Sequence, residues 1–291
     1  MNKFKYIYIA MKPKKMKSST KKITLKLLTF LSFLNATISC SSSNSGLYDL
    51  NFQSDYQSTP NNLTLLNPIQ ENTSQENEEN NTEEAENETN SSKKYLALGD
   101  SYTIGTSVCE TCSYPIQLKN VLEKELNITA NTKIIAQSGW TTSVLQNAIN
   151  NENLSNEYDL VTLLIGVNNQ YQNRSFDIYE KEFPELLDQA IKFAKGNPEN
   201  VIVISIPDYA FTPFGQNTSN PEKISSEIDN YNAFSKQISN QKSVKFIDIT
   251  DITREGLNDP DLVASDDLHP SEKAYAKFIE RLFPICTEIL N

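Results

Sequence analysis

The sequence predicts an α/β fold in which a parallel β-sheet is covered by helices on both faces. Five short apolar runs have the composition of buried strands, and they lie at 95–98, 133–136, 160–165, 201–206 and 244–249. Stretches with a helical period separate most of these runs along the chain. Strands that are apolar throughout and alternate with helices are typical of parallel sheets.

The helical stretches carry apolar residues at intervals of three and four. They span 116–126, 176–193, 224–238 and 271–282. This spacing places the apolar side chains on one side of each helix, where they would pack against the sheet. Pro284 follows the last stretch and is expected to kink or end that helix, because proline lacks the N–H donor and clashes with the preceding turn.

The net charge of −11 is unevenly distributed and divides the chain of 291 residues into three segments. Residues 1–40 contain nine lysines and no acidic residue, whereas residues 41–92 contain ten acidic residues and no basic one. Residues 93–291 carry a net charge of −10. Phosphate backbones require clustered lysine and arginine, so we expect no nucleic-acid partner.

The first segment has the pattern of a secretory signal. Lysines as far as Lys22 precede the apolar run 23–34, and small residues follow up to Cys40. The run is too short and too interrupted to remain as a membrane-spanning helix. Cys40 resembles the lipidated cysteine of a bacterial lipoprotein, which predicts an exported protein anchored to a membrane, in the periplasm or at the cell surface. An ordinary cleaved signal with an incidental cysteine is the alternative.

The second segment, residues 41–92, is rich in Ser, Asn, Thr and Glu and contains few aromatic residues. Such a composition buries too little apolar surface to offset the entropy lost on ordering, so we predict a disordered tether. The remaining residues 93–291 have the length of one ordinary domain. We expect this domain to carry the function and the protein to be a monomer.

Polar residues and glycines follow four of the predicted strands. Ser101 follows the first strand, Gly139 the second and Asn168 the third, while Asp266 and His269 come after the fifth. His269 is the only histidine in the chain, which excludes metal sites built from several histidines. Functional groups of parallel sheets collect beyond the carboxyl ends of the strands, so we expect these five residues to lie together.

These residue types match the requirements of acyl transfer. Ser101 is the candidate nucleophile, and His269 is the base that would take its proton. Asp266, three residues before His269, can accept the imidazole N–H and fix the tautomer. The backbone N–H groups of Ser101 and Gly139 and the side-chain amide of Asn168 would stabilise the oxyanion. Since Gly139 has no side chain, its backbone can approach the substrate closely.

The succession Gly-Asp-Ser, lone Gly, Gly-x-Asn and Asp-x-x-His resembles the four blocks of the SGNH/GDSL hydrolase family over nearly all of residues 93–291. This resemblance implies a three-layer α/β/α, flavodoxin-like fold and hydrolysis of esters or thioesters, with the catalytic roles given above. We expect neither a cofactor nor a metal. Tyr102 stands where the family has Leu, and Asn169 stands where Asp is common after Asn168.

Each of these signals has a structural alternative when it is taken singly, since turns often contain Gly-Asp-Ser or a lone glycine. Asp267 competes with Asp266 as the partner of His269, although the spacing favours Asp266. The joint pattern predicts an exported serine esterase that acts on an acetylated carbohydrate or on a lipid or lysophospholipid acyl ester. A catalytically silent binding lipoprotein on the same fold is the alternative from another class.

The remaining cysteines predict one disulfide and one free thiol. Cys109 and Cys112, in the loop after the nucleophile, are expected to form a small disulfide in an exported protein. A thioredoxin-type motif would open a helix, and zinc would need a second pair of ligands, so both alternatives are weaker. Cys286 lies about 15 helical residues beyond Ser271, roughly 22 Å along a helix, and is expected to be buried and free.

Aromatic residues near the predicted site are candidates for the substrate pocket. Tyr209 and Phe211 follow the fourth predicted strand, and Trp140 follows Gly139. We expect these three side chains to line an acyl or leaving-group pocket. The alternative is a surface loop at 207–214 that packs on its own helices.

Overall fold

The computed structural model describes residues 91–291, which form a five-stranded, all-parallel sheet with helices packed against it. The strands are β1 (Ser91–Gly99), β2 (Ile128–Ala136), β3 (Leu160–Leu164), β4 (Val201–Ile204) and β5 (Lys245–Ile247). Their order across the sheet is β2-β1-β3-β4-β5, which is the strand order of flavodoxin-like folds. The order reverses between β1 and β3, and ligands of α/β sheets bind beyond the strand ends at such a point.

Helices connect the strands and form a layer on each face of the sheet. They are α1 (Ser101–Ile104), α2 (Tyr114–Leu126), α3 (Thr142–Asn151), α4 (Val167–Tyr171), α5 (Phe176–Phe193), α6 (Pro213–Gln216), α7 (Pro221–Gln241), α8 (Thr250–Arg254) and α9 (Glu272–Leu290). α2 packs against α9, whereas α3 and α7 each pack against α5. The predicted α/β fold with a five-stranded parallel sheet is confirmed. None of the helices within 91–291 has the length and hydropathy that a membrane span requires.

The central strands are buried along their whole length, as expected for strands covered on both faces. Every residue of β3 and β4 is buried, and the only polar residue among them is Thr162. Its hydroxyl is hydrogen-bonded to the hydroxyls of Tyr95, at 2.9 Å, and Tyr114, at 3.2 Å. These partners satisfy the buried Thr162 hydroxyl, so a polar residue is tolerated in the centre of the sheet.

β1 and β2 are both longer than predicted, and the ordered domain includes Ser91, two residues before the predicted boundary at 93. β1 pairs with β2 from Ser91 onward, but with β3 only from Tyr95 onward. The first residues of β1 therefore form a two-stranded extension, where Ser91 and Ser92 are exposed. A solvated extension needs no apolar residues, which explains why hydropathy did not reveal it.

Within residues 91–291, five α-helices were not predicted, of which α3 is the longest, and the last predicted helix is longer than expected. α3 was not predicted, because Leu145 and Ile149 are the only large apolar residues on its buried side. α9 continues through Pro284 to Leu290, so the helix does not end at the proline, which was one of the two outcomes predicted there. Its buried residues continue after the proline with Cys286, which is fully buried and free, and packing of this stripe outweighs the cost of about 3 kcal/mol for an interior proline.

At Gly166, where β3 leads into α4, neighbouring side chains leave no room for a Cβ atom. Its φ is +132°, and an added Cβ atom would lie 2.7 Å from Tyr179 Cε2 and 2.8 Å from Ile206 Cδ1. Both neighbours are buried. We expect Gly166→Ala to lower the free energy of unfolding by about 3 kcal/mol, since it combines backbone strain with overpacking. Urea denaturation measures the change.

Gly196→Ala is the matched control, because Gly196 also has a positive φ, +74°, but an added Cβ atom would meet no atom within 4 Å. We expect a loss of only about 1 kcal/mol there, from backbone strain alone. Equal losses in the two variants would contradict the packing argument.

Candidate active site

Ser101 is the first residue of α1 and lies directly beyond the carboxyl end of β1. Asp100 caps this helix, because its Oδ1 accepts a hydrogen bond from the backbone N–H of Tyr102 at 3.1 Å. At Gly99, a Cβ atom would lie 2.1 Å from Thr103 Oγ1, so glycine lets the helix fold back tightly over the strand end. The turn therefore holds Ser101 at the edge of the sheet, where it is 5% exposed.

His269 and Asp266 lie in the loop that leads into α9. Asp266 Oδ2 is 2.5 Å from His269 Nδ1, and Asp266 Oδ1 accepts hydrogen bonds from the backbone N–H groups of Leu268, at 3.1 Å, and His269, at 3.0 Å. The edge of the Tyr102 ring packs on the imidazole, with ring centroids 5.7 Å apart. Asp267 is exposed and lies outside this contact. With Nδ1 engaged by the carboxylate, Nε2 is the ring nitrogen left for proton transfer.

The carboxylate of Asp266 is strongly favoured in its ionised form. Partial burial opposes ionisation, but the hydrogen bonds that the group accepts outweigh this effect and lower its pKa to about 2. The donors include the Ser107 hydroxyl, which is 2.6 Å from Oδ2, and the backbone and imidazole of His269. An ionised carboxylate in this position can accept the Nδ1–H bond and stabilise a positively charged imidazole.

The three candidate oxyanion donors belong to residues that line one cavity. The backbone N–H of Ser101, at the start of α1, has no acceptor within the helix. Asn168, in α4, uses one hydrogen of its side-chain amide to bind the carbonyl of Trp140 at 3.0 Å, and the other remains available. Gly139 has a φ of +84°, and an added Cβ atom would meet nothing within 4 Å. The left-handed backbone conformation therefore favours glycine at this position, and the close approach of its backbone to a substrate stays a prediction.

These groups converge on one cavity of about 190 Å³. Its walls include Ser101, Gly139, Asn168 and His269, so the structure brings together the residues predicted from four separate strand ends. Asp266 lies behind the imidazole. No hydrogen bond joins the Ser101 hydroxyl to His269 within the described range, and such catalytic bonds often form fully only in the substrate complex.

The family model of the GDSL-like lipase/acylhydrolase family matches residues 97–277, which include all five of these residues. The chain belongs to this family. It is therefore an ester-hydrolysing serine hydrolase, and its fold is that of the SGNH hydrolases. No curated protein sequence matches the chain.

Solved structures share the fold of this GDSL-like hydrolase. An acetylxylan esterase from Geobacillus stearothermophilus is 19% identical, with a TM-score of 0.53, and the match covers 68% of this chain and 95% of that chain. A member of the lipolytic protein G-D-S-L family from Veillonella parvula DSM 2008 is 17% identical, with a TM-score of 0.50, and the match covers 67% and 98%. At these identities the likeness shows the fold alone.

The two departures of this GDSL-like hydrolase from the family pattern have structural explanations. Tyr102, in place of Leu, is buried and contributes the ring that packs on His269. Asn169, in place of Asp, is fully buried; its Oδ1 accepts from the Thr142 N–H at 3.0 Å and its Nδ2 donates to Thr142 Oγ1 at 2.7 Å. Aspartate has no donor for the second bond. Asn169 thus ties α4 to the start of α3, next to the loop that carries Gly139.

The aromatic lining of the cavity differs from the prediction in two of three residues. Tyr209 lines the cavity, together with Tyr171 and Phe214, which the sequence reasoning missed. Trp140 instead packs against the hydrophobic core and presents its carbonyl to the Asn168 amide. Phe211 also packs on the core, with the Arg254 guanidinium 5.8 Å from its ring centroid. The prediction failed because the order of residues in a loop does not reveal which side chains turn inward.

The loop after α1 contains a disulfide between Cys109 and Cys112. Upstream of it, Thr106 Oγ1 is 2.5 Å from the hydroxyl of Ser138, the residue before Gly139. Ser107, which has a left-handed φ of 67°, donates its hydroxyl to Asp266. We call residues 105–113 the bracing loop, because it contacts both the loop of Gly139 and the loop of His269.

Asp100, the helix cap before the nucleophile, lies in an environment that is unfavourable for an ionised carboxylate. It is fully buried, and its Oδ2 has no hydrogen-bond partner among the described residues. Burial raises its pKa to about 7, although backbone hydrogen bonds partly counteract this effect. A folded-state pKa above the unfolded value of 3.8 means that the folded protein binds the proton more tightly. This group therefore favours folding less as the pH rises from about 4 to about 7.

We expect the Asp100→Asn variant to lose this pH dependence, because asparagine keeps the Oδ1 acceptor and does not ionise. Relative to the wild type, its free energy of unfolding should rise between pH 4.5 and pH 7.5 by about 3 kcal/mol. Urea denaturation across this range measures the difference. Asp267→Asn, at an exposed carboxylate, is the control. A wild-type/variant difference that does not change with pH would contradict the explanation.

Proposed function

We propose that this chain hydrolyses acetyl and other short-chain esters of a carbohydrate, with Ser101, His269 and Asp266 as its catalytic triad. The observation that carries the proposal is the convergence of a buried serine, an imidazole bonded to an ionised carboxylate, and three oxyanion donors on one small cavity. This arrangement supplies each group that acyl transfer through a covalent intermediate needs.

The first half of the reaction forms an acyl-enzyme. Ser101 Oγ attacks the ester carbonyl carbon while its proton passes to His269 Nε2, and Asp266 stabilises the resulting imidazolium. The negative charge on the former carbonyl oxygen is held by the N–H groups of Ser101, Gly139 and Asn168. The carbon–oxygen bond to the leaving alcohol then breaks, and His269 returns the proton to that alcohol.

The second half releases the acid. A water molecule gives a proton to His269 and attacks the acyl carbon, the same three donors hold the charge, and the bond to Ser101 Oγ breaks. The proton returns to the serine oxygen, so ester and water become acid and alcohol while the enzyme is unchanged. Nothing in these steps calls for a redox cofactor.

The size and lining of the cavity support a small acyl group on a ring-shaped alcohol. Its volume of about 190 Å³ lies below the range of about 300–1,000 Å³ that is common for drug-sized ligands. Tyr171, Tyr209 and Phe214 give the cavity an aromatic lining, on which the apolar face of a sugar can pack. The acetylxylan esterase of the same fold agrees with this choice, whereas a long lipid or lysophospholipid chain would need more room.

A series of p-nitrophenyl esters from acetate to decanoate tests the proposal. We expect kcat/KM to be highest for acetate or propionate and to fall steeply by octanoate, with all turnover lost in Ser101→Ala. A maximum at octanoate or decanoate would favour the lipid substrate instead. Absence of Ser101-dependent turnover across the series would favour the catalytically silent binding protein.

We propose further that the chain is exported and anchored through a lipid on Cys40, with the following segment as far as β1 as a tether; residues 1–90 lie outside the described residues. The basic and apolar pattern of residues 1–40 supports this proposal. In a bacterial host, Cys40→Ser should move the protein from the detergent phase to the aqueous phase in a partition experiment. A wild-type protein that stays in the aqueous phase would exclude the anchor.

A further inference from the structure

A second cavity, of about 610 Å³, lies beside the catalytic one, between the end of α4, the start of α5 and one side of α7. The side chains used in the argument below are three aromatic and four polar ones: Phe176, Tyr231, Phe234, Gln170, Arg174, Glu227 and Asn230. None of these seven residues has a role in the mechanism proposed above.

The two cavities share a wall. α4 contributes Asn168 and Tyr171 to the catalytic cavity and Gln170 to the second one. The hydroxyl of Tyr209, in the catalytic cavity, donates to Gln170 Oε1 at 2.8 Å. Asn173 lines the second cavity only two residues after Tyr171, so their Cα atoms lie within about 7.6 Å of each other. A ligand of several linked units can therefore occupy both cavities.

The aromatic side of the second cavity is fixed by packing. The Phe176 ring meets Tyr231 edge-on, with centroids 4.8 Å apart, and Phe234 at 5.8 Å. Tyr179 packs beneath, 4.6 Å from the Tyr231 ring, and is fully buried. Because these rings support one another, the surface exists before a ligand binds, which reduces the entropy lost on binding.

The polar side of the cavity presents both hydrogen-bond donors and hydrogen-bond acceptors. Gln170 Nε2 donates to Glu227 Oε2 at 2.9 Å and thereby orients that carboxylate. The Arg174 guanidinium forms no ion pair and no side-chain hydrogen bond within 91–291, and the side-chain amide of Asn230 is likewise without such a bond there. Hydroxyl groups both donate and accept, so a polyol can satisfy these groups, whereas an acyl chain would leave them unpaired.

We infer that the second cavity binds sugar units of an acetylated oligosaccharide, next to the unit whose ester is cleaved in the catalytic cavity. This inference rests on the proposed function, because the catalytic cavity must accept a carbohydrate ester. Aromatic rings pack on the apolar faces of the sugar, and Arg174, Asn230 and Glu227 bind its hydroxyl groups. The cavity thereby makes the enzyme prefer longer glycans over isolated acetylated sugars.

The test compares Arg174→Ala combined with Asn230→Ala against the wild type, on p-nitrophenyl acetate, an acetylated monosaccharide, and acetylated pentasaccharides of the xylose and mannose type. For the wild type, KM should be lower for at least one pentasaccharide than for the acetylated monosaccharide. The double variant should raise that KM about tenfold while kcat/KM for the two small substrates is unchanged. Lys192→Ala, which removes an exposed cation of α5 outside the cavity, is the matched control and should change nothing.

The outcomes separate this inference from the proposed function. If the wild type hydrolyses no acetyl ester, the proposed function fails. If it hydrolyses the small substrates but shows no gain with either pentasaccharide, or if the double variant affects all substrates equally, only the second cavity's role is overturned. If the double variant mainly lowers kcat/KM for p-nitrophenyl decanoate, the second cavity is an acyl-chain site, and this result would also overturn the inference. Binding of the deacetylated pentasaccharides to Ser101→Ala, measured by calorimetry, provides a readout that does not depend on turnover.

Discussion

Replacing Ser101 by alanine is expected to lower kcat for p-nitrophenyl acetate by about 10⁶-fold, and replacing His269 by alanine should cost nearly as much. The alanine at 101 leaves no nucleophile at the centre of the oxyanion donors. The alanine at 269 leaves no imidazole anywhere in the chain, because His269 is the only histidine. Since the two groups act in one step, the double variant should be no slower than either single variant.

Steady-state kinetics of the purified variants, with circular dichroism to verify folding, measure these effects. Ser226→Ala is the matched control, because Ser226 is an exposed serine of α7 that lies outside both the catalytic cavity and the loops around it. We expect that control to retain most of the activity. A His269→Ala variant with more than about a hundredth of the wild-type rate would refute the assignment of the base.

Asp266→Asn is expected to lower kcat by about 10⁴-fold without unfolding the protein. The amide is close in size to the carboxylate but carries no charge, and it can donate to Nδ1 where the carboxylate accepts. The imidazole would then hold its proton on Nε2, which is the wrong tautomer for a base that must accept the proton of Ser101. The imidazolium would also lose its counter-charge.

Asp267→Asn gives the comparison within the same loop, and we expect it to keep near wild-type activity because Asp267 is exposed and away from the imidazole. Kinetic measurements on both variants at constant pH decide between the two carboxylates. If Asp267→Asn were the slower of the two, the orienting role would belong to Asp267 and the loop would have to rearrange on substrate binding.

The parts of the fold that hydropathy predicted are those where burial leaves little choice of residue. β3 and β4 are buried on both faces and appear in the sequence as continuous apolar runs. Hydropathy did not reveal the start of β1 or helix α3, because these segments bury few apolar side chains. Ser91 and Ser92 pair only with an edge strand, and α3 buries too few large residues to produce a clear period.

The position of the site was predictable because parallel strands bring their carboxyl ends to one edge, where the residues that follow β1, β2 and β3 lie together. Asp266 and His269 follow β5 only after α8, so their place beside Ser101 depends on the course of a longer loop. The aromatic lining was not predictable in the same way. Phe211 and Phe214 lie three residues apart in one loop, yet only Phe214 faces the cavity, because Thr212 caps a new helix turn between them. From the sequence, Asn169 was only a departure from a motif. Its two hydrogen bonds to Thr142 depend on how α4 lies beside the start of α3, which the sequence pattern does not show.

The bracing loop has a consequence for how this enzyme can change over evolution. Thr106 and Ser107 follow the nucleophile by five and six residues, and they reach the two other loops on which catalysis is proposed to depend. A single short segment therefore ties the turn that follows the nucleophile to both of these loops, whereas substitutions remote from the three loops leave these contacts unchanged. Insertions between Ser101 and Ser107 would instead misalign the nucleophile, the oxyanion loop and the acid in one step.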